Sequence, residues 1–186
     1  MNMNYVLETE RLLLRPLEEQ DLESMFGVIK NNPNLPYYMT WEPHKDLSET
    51  IEHYKITKKR QDEGELVRWG IFLENQFIGI ISLEGIERFC RKWKTGKAEL
   101  GYWLDPEFHK QGIMTEAGTV VLGFGFSQLD LHKITVGCVL ENEASKKVIE
   151  KLGFRLVGTE KDHHFYDGRW WDHPRYEMII NDWKKL

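Results

Sequence analysis

Cysteine is scarce: the 186-residue chain has two, Cys90 and Cys138, far apart and outside any CxxC pattern. That excludes a disulfide framework and a cysteine-built zinc site, and predicts two free thiols. No stretch approaches the roughly 20 apolar residues that a membrane-spanning helix needs. The opening "MNMNYVLETERLLLRP" shows no basic n-region, apolar h-region or cleavage site, so the expected location is the cytoplasm, off the membrane. No polar low-complexity tract, repeat or linker interrupts the chain. Its 41% hydrophobic and 30% charged residues are those of an ordinary globular protein. One domain over residues 1–186 is expected, burying roughly 70% of the surface the unfolded chain exposes. Positive charge is not in excess either: a net charge of -5 counts against nucleic acid as a partner and suits an amine or a basic peptide.

Periodicity then places the elements. "RLLLRPL" (11–17) reads as a strand, and residues 18–30 as an amphipathic helix with Leu22, Met25, Phe26 and Ile29 at 3,4 spacing. Residues 31–46 hold three of the six prolines together with Tyr37, Tyr38 and Trp41, which predicts a loop whose aromatics are candidates for ligand contact. A second helix is expected over 48–62, then a hairpin around Glu74-Asn75, a basic loop "RFCRKWKTGK", and the strand "AELGYWL". A helix from about Gly112 to Gln128, a strand "KITVGCVL", a helix "EASKKVIEKL" and strands near 154–166 and 170–180 complete the chain. The order β-α-α-β-β-β-α-β-α-β-β is that of an α+β fold.

The segment "EFHKQGIMTEA" (107–117) is a turn with glycine at a strand-to-helix join. At such a join the first amides of the helix, around Gln111, Gly112, Ile113, Met114 and Thr115, have no intrahelical partner and favour an anion. Each helix end contributes roughly 0.3 to 1 kcal/mol to that preference. An ordinary turn that needed glycine has the same sequence, and the turn alone does not decide between the two.

"YWLDPEFHKQGIMTEA", "NEASKKVIEKLGF" and "DGRWWDHPRYEM", in this order and with the opening "TERLLLRPLEEQD", resemble the GNAT superfamily of N-acetyltransferases. The likeness is greatest to the branch that acetylates the N-termini of ribosomal proteins. It implies the GNAT fold, a twisted, mostly antiparallel sheet of about seven strands flanked by about four helices, with acetyl coenzyme A (acetyl-CoA) as co-substrate. The family's pyrophosphate-binding pattern falls on His109, Lys110, Gln111, Gly112, Ile113 and Met114, with His109 where the family has Gln or Arg and Met114 where it has a small residue. The resemblance further implies that strand 97–104 splays from strand 133–140 and that pantetheine pairs with the main chain near Trp103 and Leu104.

For the chemistry, the resemblance offers Glu99 as general base or water holder, with Glu107 a weaker second. The tyrosine that the superfamily commonly carries seven residues after Asn142 is absent; that position is Ile149. Ser145 stands where the ribosomal branch has a serine at the coenzyme A sulfur, and Asn142 is a helix cap, a cofactor contact, or both. The acceptor implied is a protein or peptide N-terminus, possibly ribosomal, met by Tyr37, Tyr38, Trp41 and the C-terminal hairpin, in a family whose members often form homodimers. Core packing is the expected job of Trp171 and Tyr176. A small-amine acetyltransferase and a non-catalytic coenzyme A-binding module are the alternatives. "GFGF" (123–126) reads as helix packing, because it follows no strand and lacks a third glycine. His163, His164 and His173 lack cysteine or paired carboxylates at ligand spacing, and no metal is expected.

Overall fold

In the computed structural model, which describes residues 4–186, eight strands form one sheet in the order β1-β2-β3-β4-β5-β6-β8-β7. Met1 to Met3, counted in the expected domain, lie outside the described residues. The strands are β1 (Leu7–Glu8), β2 (Leu12–Arg15), β3 (Val67–Leu73), β4 (Gln76–Cys90), β5 (Trp93–Leu104), β6 (Lys133–Gly137), β7 (Arg155–Tyr166) and β8 (Arg169–Ile179). The helices are α1 (Leu22–Asn31), α2 (Leu47–Asp62), α3 (Ile113–Ser127), α4 (Glu143–Lys151) and the short α5 (Ile180–Trp183). Relative to the sequence expectation, the additions are the two-residue β1 and the one-turn α5, both too short to carry a periodic signal.

Local chemistry explains most boundaries. Glu74 (φ 50°) and Asn75 (φ 68°) are both left-handed, the backbone of a two-residue type I′ hairpin turn between β3 and β4. α2 starts where the Asp46 carboxylate accepts from the Ser48 and Glu49 amides. The first helix begins at Leu22, where its apolar pattern starts, and not at the expected residue 18, because residues 19–21 form a separate tight turn. There Asp21 accepts from the Glu18 amide at 2.8 Å and is gripped by both terminal nitrogens of Arg15 at 2.7 Å.

Two expectations are corrected. "RFCRKWKTGK" is not a loop: β4 runs to Cys90 and turns at Arg91 (φ 55°) so that Cys90 faces Trp93. The hairpin end projects into solvent with Phe89 and Trp93 more than 60% exposed, so neither face carries the buried alternation by which a strand is recognised. The strand expected over 133–140 leaves the ladder after Gly137, and residues 138–140 follow β8 through single bonds, Cys138 N–H to Pro174 O and Leu140 N–H to Asp172 O.

The sheet has an apolar layer on each face. On one, α3 and α4 pack Ile113, Ala117, Val121, Leu122 and Ile149 on Leu14, Trp69, Ile71, Leu83 and Leu100. On the other, Met25 and Ile29 of α1 pack on Phe72, Phe77 and Ile80, with Trp41 and Trp103 at the margin. Full burial of each such side chain contributes about 1.5 to 3 kcal/mol. The "GFGF" glycines sit within α3, as their position after no strand predicts. A Cβ at Gly125 would come 2.9 Å from Ile134 and 3.0 Å from Leu83, whereas one at Gly123 would meet only Trp183 at 3.5 Å.

Two predictions rest on this packing. Gly123→Ala raises stability by up to about 1 kcal/mol through helix propensity. Gly125→Ala lowers it, because overpacking of about 1 to 3 kcal/mol exceeds that gain; urea denaturation of the two variants reads the opposite signs. On α2, burial and the nearby Arg68 hold the His53 imidazole down at about 4, against 6.5 in an unfolded chain. The unfolded chain therefore takes up the proton first, and the stability from a neutral His53 is complete above about pH 6.5 and is lost as pH falls towards 4. Thermal melts across that window should show the decline, and His53→Gln should shallow it.

Candidate active site

β5 and β6 are the parallel pair at the centre of the sheet, joined by α3. Their pairing runs Lys97 to Lys133, Ala98 to Ile134 and Glu99 to Thr135, and stops there. β5 continues to Leu104 in register with β4, where Leu104 pairs with Gly79, while β6 stays with β8 as far as Gly137 opposite Arg175. Beyond Glu99 the two strands diverge, leaving one edge of β5 without a strand partner along residues 100–104. That is the splay expected between strands 97–104 and 133–140.

The α3 turn lies beyond the end of this edge. Asp105 caps a short turn at Pro106–Phe108, and the chain then passes through two left-handed residues, Lys110 (φ 62°) and Gly112 (φ 78°). The first helical bond closes from the Glu116 amide to Gly112 O at 3.0 Å, which leaves the amides of Ile113, Met114 and Thr115 without intrahelical partners. A concavity of free amides beside a left-handed residue can hold an anion. The two departures from the family pattern leave it open. Met114 is buried in the core beneath α3, and His109 turns back so that its Nε2–H donates to Leu104 O at 3.0 Å.

Sequence reading missed Arg11 and Thr9, which tie the first strands to this turn. Arg11 donates to Gln111 O at 3.2 Å and pairs with Glu116 at 2.6 Å, and the Thr9 hydroxyl donates to the same carboxylate at 2.5 Å. Partial burial would raise the Glu116 pKa, but these bonds outweigh it and hold the carboxyl below its usual range. A separation of 105 residues carries no local signal for the contact.

Alternation puts Glu99 and Tyr102 on opposite faces of β5. On one face Glu99 stands directly across from Glu84 of β4; Arg175 takes Glu99 at 2.9 and 3.4 Å, and Arg68 takes Glu84 at 2.9 Å. Two adjacent like charges are thus each neutralised by a separate arginine. On the other face the Tyr102 hydroxyl lies 2.8 Å from Ser145 Oγ. Burial pushes the Tyr102 phenol far above its usual range, more than the bond with Ser145 lowers it, so it stays protonated. Ser145 is in the first turn of α4, and its amide donates to the Asn142 side chain at 3.1 Å, which makes Asn142 the cap of that helix. Cys138 is buried beside them and its thiol is likewise raised by burial. Tyr102 was not singled out from sequence, since nothing local links it to a serine 43 residues away.

The three aromatic candidates part company. Tyr37 and Tyr38 meet Trp171 edge-on at 6.0 Å each, and Tyr37 meets Tyr166 at 6.1 Å, so the loop and the C-terminal hairpin are brought together. Arg169 covers Trp171 at 3.4 Å, and Trp171 and Tyr176 are buried as expected. Trp41 instead packs on Trp103 at 6.3 Å and on His44 at 5.9 Å. Glu107 is exposed beside the turn. A cavity of about 50 Å³ between α1, α2 and β3, lined in part by Met25, His53, Tyr54 and Arg68, shares no residue with the α3 turn. Among the described residues no helix is long and apolar enough to cross a membrane.

Comparison with known proteins agrees with this architecture. Residues 11–155 match the family model of the acetyltransferase (GNAT) domain. YoaA of Bacillus subtilis (strain 168), an uncharacterised N-acetyltransferase, is 29% identical over 176 residues, 94% of this chain and 96% of that protein. Spermidine N(1)-acetyltransferase of Escherichia coli (strain K12) is 28% identical over 157 residues, 84% of this chain and 80% of that one. The solved structure of RimL, a ribosomal L7/L12 alpha-N-protein acetyltransferase in complex with coenzyme A, superposes with a TM-score of 0.88 at 25% identity, covering 95% of this chain and 99% of that chain. The protein is an N-acetyltransferase, and the chain belongs to the GNAT acetyltransferase family.

Proposed function

We propose that the whole chain acts as one domain that transfers the acetyl group of acetyl-CoA directly to the N-terminal α-amino group of a protein or peptide, in the cytoplasm. The observation that carries the reading is the divergence of β5 from β6 after Glu99, with a free-amide turn beyond its end and a Tyr102–Ser145 pair beside it. The pyrophosphate would lie on the amides of Gly112 to Thr115, near the side chains of Lys110 and Gln111. Pantetheine would pair with β5 at Trp103 and Leu104 as an added strand does.

In the reaction the neutral amine nitrogen attacks the thioester carbonyl carbon, the C–S bond breaks and the acetyl group ends on nitrogen. The leaving sulfur takes a proton from Ser145 Oγ, which stays hydrogen-bonded to the protonated Tyr102 hydroxyl and regains its proton from solvent as coenzyme A departs; Asn142 holds the Ser145 amide in place. On the opposite face, Glu99 receives the proton lost by nitrogen, directly or through water. Its side chain is 45% exposed, so water reaches it while Arg175 fixes its position. The demand on this base is small, because a peptide α-amino group costs about 1 kcal/mol to deprotonate at pH 7, against roughly 4 to 5 for lysine. A ribosomal N-terminus is the acceptor that RimL's own substrate suggests, and Tyr37 and Tyr38, packed on the C-terminal hairpin, would meet it.

A second reading, a polyamine acceptor, has the spermidine acetyltransferase among the relatives and the net charge of -5 in its favour. Mass spectrometry of the protein with acetyl-CoA and a panel of amines separates the two. Acetylation of peptides with free N-termini but not of spermidine supports the first, and the reverse supports the second. Calorimetric binding of acetyl-CoA without turnover on any amine would sink both and leave a coenzyme A-binding module.

Ser145→Ala should lower turnover about 100-fold to 10,000-fold, the usual worth of a general acid, while acetyl-CoA binding persists. Unchanged turnover removes Ser145 from the mechanism. Tyr102→Phe should lower turnover less, because the serine hydroxyl remains.

A further inference from the structure

The β7–β8 hairpin is irregular at one place. Glu160 pairs with His173 and His164 pairs with Trp171, so three residues of β7, 161–163, stand opposite the single Asp172. Asp172 holds this bulge by accepting from Lys161 Nζ at 2.6 Å and from the Asp162 amide at 3.1 Å, with Asp162 in the left-handed region (φ 50°). A bulge redirects side chains. Here it brings His163 back over its own strand, so that His163 Nδ1 lies 3.1 Å from Glu160 Oε2 and the His163 ring stacks on that of His173 at 4.8 Å.

Glu160, His163 and His173 each offer a ligand atom, and the three atoms lie within 4.8 Å of one another. In tetrahedral zinc, metal-to-ligand bonds of about 2.0 to 2.1 Å set the donors about 3.3 Å apart. The observed 3.1 Å from His163 Nδ1 to Glu160 Oε2 and 4.0 Å from His173 Nδ1 to the same oxygen are within side-chain rotation of that spacing. A second, independent observation concerns His173 alone. Its Nδ1 is buried with no hydrogen-bond partner, an arrangement that costs free energy unless something else occupies the nitrogen. The ring can lie there only because residue 137 is glycine: a Cβ at Gly137 would come 2.2 Å from His173 Cε1 and 2.9 Å from Nδ1.

We infer that Glu160, His163 and His173 form a binding site for a divalent transition metal, of the class that takes imidazole and carboxylate together, with water completing the coordination. Zinc, nickel and copper fit such a donor set, whereas magnesium prefers oxygen alone. No step of the acetyl transfer proposed above passes through this ion. The cation would draw the Glu160 carboxylate from Arg175, now 4.0 Å away, and leave that arginine to Glu99. The site therefore couples metal binding to the position of Arg175 whatever the acceptor amine is. Sequence spacing pointed away from a metal because two donors lie three residues apart across a bulge and the third comes from the neighbouring strand.

Calorimetric titration of the chelator-stripped full chain with zinc chloride tests the proposal. One saturable site in the micromolar range is expected, with none for magnesium chloride at the same concentrations. Because His163 and Glu160 are surface residues, His163→Ala and Glu160→Gln should fold normally and weaken zinc at least about tenfold, as should His173→Ala. His44→Ala, in the separate His44–His53 pair, should leave zinc binding unchanged. A zinc-induced rise in melting temperature, lost in His163→Ala, would place the bound ion on the hairpin. No saturable binding at millimolar zinc, or equal affinity in His163→Ala and the parent chain, overturns the site.

Discussion

The architecture depends on two neighbouring strands being unable to stay together. β5 is committed to β4 over its length, from Trp93 opposite Cys90 to Leu104 opposite Gly79, and β6 is committed to β8 through Gly137 opposite Arg175. The right-handed twist of a sheet rotates each pair relative to the next. When both outer partnerships are kept, the inner pair gives way, after only three parallel residue pairs. Two glycines make the outer partnerships close enough to hold. A Cβ at Gly79 would come 2.5 Å from Trp103 O, and a Cβ at Gly137 would collide with the His173 ring. An edge opened inside a sheet offers unpaired backbone groups, and an extended ligand can satisfy them where a solvated outer edge must be protected against other chains.

That opening also determines where charge can be placed. Glu84 and Glu99 face each other across β4 and β5, an arrangement that is unfavourable unless countercharges are built in. Arg68 reaches Glu84 from β3, and Arg175 reaches Glu99 from β8, across the gap. Arg175 is therefore both a countercharge and a strap between the two halves of the sheet. These pairs are part-exposed, so their direct contribution to stability is modest. Their effect is to fix the orientation of Glu99 at the first residue beyond which the strands part.

The legible parts of the fold were those that local chemistry writes into adjacent residues. Glu74-Asn75 demands a tight hairpin, Gly112 demands a turn before a helix, and the Leu22, Met25 and Ile29 spacing puts one helix face into the core. The illegible parts are contacts made by the fold at long sequence distance. The solvated end of the β4–β5 hairpin has no buried face and reads as a loop. Tyr102 meets Ser145, Arg11 meets Gln111, and Glu160 meets His173 only because strands and helices converge. Ser145 and Glu99 came from resemblance to a family, and the resemblance supplied no partner for either.

His109 and Met114 show why a motif can lose its side chains and keep its shape. The family pattern has Gln or Arg at the first of these positions and a small residue at the second, yet neither departure intrudes on the turn. Residue 114 is in the first turn of α3, where its long unbranched thioether is buried in the core. Residue 109 spends its imidazole on Leu104 O, tying the end of β5 to the loop that follows it. What an anion needs from this segment is the backbone path through two left-handed residues, one of them Lys110, where a non-glycine residue bears about 1 kcal/mol of strain. Strain of that kind persists only where the surroundings enforce it, and here the Arg11 bond to Gln111 O and the His109 bond to Leu104 O hold the path from both sides.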